Sequence, residues 1–72
     1  MNELNAICKG WEEAPSKSGL ICNPCEAGGI IDKEILSGEW FVIFNDDRQS
    51  IYGLESREDA INAFAAASIK ND

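Results

Sequence analysis

Histidine is absent from the 72-residue chain, and this removes the side chain most used as general base, proton shuttle and metal ligand near neutral pH. The chain also has no G-x-S-x-G, no Gly-rich phosphate loop leading into a helix and no second C-x-x-C. Serine-based hydrolysis, phosphoryl transfer and a four-ligand structural zinc site therefore lack their usual residues. Positive charge is scarce too, with 6 Lys and Arg against 13 Asp and Glu and a net charge of −7. Nucleic acid is excluded as a direct partner, because its binding rests on Lys and Arg displacing counterions. No stretch approaches the ~20 apolar residues of a membrane span, and the N-terminus lacks the basic and apolar segments of a signal peptide. A cytoplasmic protein without a membrane partner is expected. Three cysteines, an odd number, fit a reducing compartment better than a secreted disulfide framework.

A chain of this length makes one domain, residues 1–72, and buries only about 60% of the surface its unfolded form exposes. A catalytic cleft walled on several sides is hard to build from so little material, so a binding module is expected rather than an enzyme. The negative charge is uneven. Residues 1–25 carry Glu3, Glu12 and Glu13 against Lys9 and Lys17, so nearly all of the excess lies in residues 26–72.

Gly38 to Ala67 holds the clearest pattern. Trp40 to Phe44 is a continuous run of large β-branched and aromatic residues, which suits a buried strand. Asn45 to Arg48 is turn-prone, and Ser50 to Leu54 resumes an apolar run, so the two form a hairpin. Ser56 then supplies an N-cap hydroxyl, and Glu58 and Asp59 place carboxylates in the first turn of a helix, where its dipole favours them. Ala60, Ile61, Phe64, Ala65, Ser68 and Ile69 fall on one stripe of that helix. Upstream, Asn2 can cap a first helix in which Leu4, Ile7, Cys8 and Trp11 recur at helical spacing. Pro15 stops it, with an end expected near Glu13. Gly19 to Asn23 reads as a short strand broken at Asn23-Pro24, and Glu26 to Gly29 as irregular. Residues 30–36 fit either a turn or two of helix or a twisted strand. The fold class is α+β: an N-terminal helix, an antiparallel hairpin or small sheet, and a C-terminal helix packed on the sheet.

Because alternate strand residues point to opposite faces, the run Trp40 to Phe44 makes both faces of its sheet apolar. The last helix covers one. The other falls to the first helix and residues 20–36, or to a second chain, in which case it is a homodimer or partner site.

Cys22-Asn-Pro-Cys25 has the C-x-x-C spacing that can place two thiolates on one metal, and Cys8 can add a third. A fourth ligand is missing unless Glu26 or another chain supplies it, so no cofactor is expected, with zinc on Cys8, Cys22 and Cys25 as the alternative. A thioredoxin-type pair is disfavoured because Ala27-Gly28-Gly29 opposes the helix that such a thiolate requires. The carboxylate pairs Asp46-Asp47 and Glu58-Asp59 are explained by a hairpin tip and a helix start. Together with Glu39 and Glu55 they can form one negative edge, with Tyr52 as an amphipathic anchor beside it. Such an edge steers onto a basic protein surface.

Trp40-Phe41-Val42, Ile51-Tyr52-Gly53 and Ser56-Arg57-Glu58-Asp59-Ala60-Ile61 together resemble the strand, strand and capped helix of small phage and prophage accessory proteins. The resemblance spans the second half of the chain. It implies a non-enzymatic protein binder, some members of that group being inhibitors of host nucleases, polymerases or defence complexes. The expected protein is thus an acidic module that binds and modulates a partner with a basic surface.

Overall fold

A computed structural model describes residues 2–23 and 25–68. The expected Asn2 side-chain cap, the break at Pro24 and the stripe position Ile69 lie outside what is described. The elements are α1 (Asn2–Ile7), β1 (Glu12–Glu13), β2 (Leu20–Ile21), β3 (Gly29–Lys33), β4 (Trp40–Phe44), β5 (Ile51–Leu54) and α2 (Arg57–Ser68). Each strand pairs antiparallel with the next, giving a five-stranded meander in the order β1-β2-β3-β4-β5. The α+β class, with the C-terminal helix on the sheet, is as the sequence indicates, and the hairpin is part of a larger sheet.

Residues 30–36 resolve into strand and then turn. Ile30 and Ile31 pair with Ile43 and Val42 of β4, and the Gly38 amide donates to the Glu34 carbonyl at 2.8 Å to close the turn. A helix here would leave the polar backbone groups of β4 without partners on that side, a cost the paired strand avoids.

The first helix departs from expectation. It ends at Ile7, and Glu12–Glu13 is a strand. Gly10, at φ 103°, takes a conformation closed to other residues and turns the chain out of the helix well before Pro15. Trp11 then folds back, its indole Nε1–H donating to the Leu4 carbonyl at 3.1 Å. The helical spacing of Leu4, Ile7, Cys8 and Trp11 reflects one buried cluster made by a helix and the turn after it.

The core lies between the sheet and α2. Leu4, Leu20, Ile31, Val42, Phe44, Ala60 and Phe64 are all buried in it. Phe64 is fully enclosed, with its ring edge-on to Trp11 at 5.2 Å and tilted against Phe44 at 4.9 Å. Ser56 caps α2, its Oγ accepting from the Asp59 amide at 3.1 Å. At the other end of the helix, Arg48 donates from Nη1 to the Ala67 carbonyl at 2.9 Å, while its guanidinium lies 4.2 Å from the Phe44 ring centroid. That arginine satisfies a terminal helix carbonyl and ties the β4–β5 turn to α2.

Phe64→Ala removes the ring on which α1, the sheet and α2 converge. Its expected cost is about 3–5 kcal/mol, against a total of roughly 4–11 kcal/mol for a domain of this length. Urea or thermal melts followed by circular dichroism should show the transition midpoint greatly lowered or cooperativity lost. A shift of only a degree or two contradicts this account of the core.

Candidate functional site

Along β4, Trp40, Val42 and Phe44 face α2, so Phe41 and Ile43 face away. The register extends that second face across the sheet. Ile21, Ile30 and Ile43 form one cross-strand row, and Asp32 and Phe41 form the next. Beside Phe41 the β4–β5 register shifts between the Trp40–Leu54 and Val42–Ile51 pairs, so Tyr52 and Gly53 together oppose a single residue. Gly53 adopts φ 77°, a left-handed conformation that glycine takes without strain. The bulge keeps Ile51 and Leu54 on the core side and lays the Tyr52 ring near Phe41, centroids 5.9 Å apart.

No described helix packs on this face, and the β1–β2 turn reaches it only at Asp32, through Ser16. The expectation that α1 and residues 20–36 cover it is incorrect. α1 packs beside α2, its Leu4 within the same core, and residues 20–21 and 29–33 are strands of the sheet itself. Ile21, Ile30, Phe41 and Ile43 are consequently only half-buried, and Tyr52 is 67% exposed. In the β3–β4 turn, Ile35 and Leu36 are 92% and 96% exposed. Between turn and sheet lies a cavity of about 70 Å³ walled by Glu34, Ser37, Glu39, Trp40, Phe41 and Tyr52. It is far below the roughly 300–1,000 Å³ of a small-molecule site, and of a size for one side chain. Two carboxylates and three aromatic side chains suit the tip of a lysine or arginine.

The acidic residues singled out from the sequence do not form one edge. Glu39 and Glu55 flank the Trp40–Leu54 pair, at the end of the sheet where α2 begins with Glu58 and Asp59. Asp46 and Asp47 follow β4 at its other end, and the strand alone separates them from Glu39 by roughly 15–20 Å at about 3.3 Å per residue. Asp46 is engaged locally, its carboxylate 3.0 Å from Arg48 Nε. Of the predicted site residues, Glu39 and Tyr52 come together at the cavity. Glu55, Glu58 and Asp59 border the same end of the molecule. Glu34, Asp32, Ile35 and Leu36 were not anticipated as part of this surface. Asp32 is fixed on it by Ser16 Oγ, which donates at 2.9 Å.

The cysteines do converge. Cys8 and Cys25 are joined in a disulfide, and the buried Cys22 is a free thiol whose Sγ lies 3.0 Å from that of Cys8. Treating them as unconnected small residues of a turn and a helix misses this junction. In this state, among the described residues, no group of three or more His, Cys, Asp or Glu side chains is placed to hold a metal ion. Zinc ligation by the trio belongs to a reduced chain, in which all three are thiolates. No described helix is long and apolar enough to cross a membrane.

Adjacent residues of β4 separate the two faces experimentally. Val42→Thr buries a hydroxyl against α2 and should cost about 1–3 kcal/mol, whereas Ile43→Thr on the bare face should cost less than about 1 kcal/mol. Equal losses in chemical denaturation would mean that both faces are covered. Comparison of the chain with protein-family models, with curated proteins and with solved structures finds no match.

Proposed function

We propose that this protein is a non-enzymatic binding module whose bare sheet face docks on a protein with an apolar centre and a basic rim. The observation that carries the reading is the surface made by Ile21, Ile30 and Ile43 in one cross-strand row with Phe41 and Tyr52 beside it, together with the exposed Ile35 and Leu36 of the β3–β4 turn. Contiguous apolar area of this kind on a small domain marks an interaction site, and its aromatic residues are the side chains most often found as interface anchors.

Charge selects the partner. Asp32 lies on the face, and Glu34 and Glu39 line the cavity beside it, on a chain of net charge −7. A second copy docked face to face would oppose carboxylate to carboxylate, whereas a basic surface would be attracted and steered. The cavity beside Tyr52 then receives a lysine or arginine of the partner. Proteins that handle nucleic acid carry such basic surfaces, so a modulator or inhibitor of one of them is the form of this function that the phage-like strand, strand and helix unit suggests. Pairing through a sheet edge is the weaker route, because β1 is only two residues long and both are glutamates, and the β5 edge carries the bulge at Gly53. Both are devices that discourage strand addition.

The test is capture from the native cell followed by binding measurements on the identified partner. The partner should present a basic surface. Phe41→Ser combined with Tyr52→Ser should weaken binding at least about tenfold, as expected for loss of aromatic anchors. Glu34→Gln with Glu39→Gln should slow association and flatten its salt dependence, while Asp47→Asn at the far end should leave both nearly unchanged. Sedimentation that instead shows the chain dimerising through this face, with the dimer lost on Phe41→Ser, would replace the reading with self-association.

A further inference from the structure

The three cysteines form a second site, independent of the docking face. Cys25 is half-buried, Cys8 is 5% exposed and Cys22 is fully enclosed. The disulfide joins Cys8 to Cys25, and the Cys22 sulfur lies 3.0 Å from Cys8 Sγ, closer than ordinary contact between two sulfurs. Cys8 therefore has two cysteines within reach, both presented by the one loop that follows β2.

That loop is held so that both stay in place. Asn45 Nδ2 donates to the Cys22 carbonyl at 2.7 Å and to the Cys25 carbonyl at 2.8 Å. The Cys22 amide donates to the Gly29 carbonyl, and the Gly28 amide to the Cys25 carbonyl, each at 2.9 Å. Gly28 lies flush against Cys22: a Cβ there would come within 2.8 Å of the Cys22 sulfur, so a side chain at this position would push the thiol from its place. The Cys22 sulfur also donates to the Lys9 carbonyl, at 3.6 Å.

We propose that Cys8, Cys22 and Cys25 form a thiol–disulfide exchange site that moves the bond from Cys8–Cys25 to Cys8–Cys22 and delivers a reactive thiol to the surface at Cys25. Cys22 gives up a proton that the departing Cys25 takes up, and its thiolate attacks Cys8 Sγ. As the Cys8–Cys22 bond forms, the Cys8–Cys25 bond breaks, and Cys25 leaves with the electron pair and takes up a proton. One thiol and one disulfide are present before and after, so no outside oxidant or reductant is needed. The exchange places the disulfide between the two buried cysteines and frees the thiol of Cys25, the least buried of the three residues. Cys25 can then take small electrophiles or a disulfide of another molecule, the latter giving a mixed disulfide and one released thiol.

The test uses the full oxidised chain, folded and free of added reductant, incubated with iodoacetamide, quenched in acid and digested with pepsin without reduction. Mass spectrometry should find the label on Cys25 and a peptide pair joined through Cys8–Cys22, accumulating over minutes to hours, the timescale of uncatalysed disulfide rearrangement. Label on Cys22 alone, or no label with Cys8–Cys25 intact, overturns the proposal. As an independent check, Cys25→Ala should oxidise in air to a Cys8–Cys22 disulfide with an unchanged circular dichroism spectrum. Cys8 and Cys22 both remaining open to alkylation in that folded variant would equally refute it.

Discussion

One constraint shapes this molecule: its helices suffice to cover one face of its sheet and not the other. The residues that close the covered face are few and interlocked. Phe64 of α2 meets Trp11 and Phe44, Leu4 from α1 enters the same cluster, and Arg48 fastens the far end of α2 to the β4–β5 turn. With both helices committed to that side, the alternate residues of β2, β3 and β4 have no helix over them within the described chain. Burial on one side stabilises the domain, and the other side is the face proposed to dock a partner.

The sequence was most legible where a single local rule decides the outcome. The apolar run Trp40 to Phe44, the turn after it and the capped start of α2 each follow from the residues within them, and all three occur as read. Legibility failed where distant contacts decide. Leu4, Ile7, Cys8 and Trp11 satisfy a helical period, yet only a helix of six residues forms, because Gly10 permits a turn that returns Trp11 to the same core. Ile30 and Ile31 are compatible with helix or strand in isolation, and pairing with β4 settles the matter.

The candidate site divides in the same way. The two-sided apolar character of β4 was visible in its composition, and with it the possibility of an exposed face. Which face stays bare was not, since that depends on α1 lying beside α2. That Asp46 and Asp47 sit at the opposite end of β4 from Glu39 already follows from the strand read between them, so a single negative edge holding all of them was inconsistent with that strand. Tyr52 was recognised as an anchor from its chemistry, but its place beside Phe41 depends on the bulge at Gly53. The cysteine junction joins residues 17 positions apart, a pairing that spacing alone leaves undetermined.

Asymmetry between the two sheet faces is the claim on which the functional reading stands. It is tested most directly by paramagnetic relaxation from an inert soluble co-solute, read at the side-chain protons of the isolated protein. Strong relaxation at Ile21, Ile30, Phe41, Ile43 and Tyr52, with Ile31, Val42 and Phe64 protected, is the predicted result. Protection of Ile30 and Ile43 equal to that of Ile31 and Val42 would contradict it.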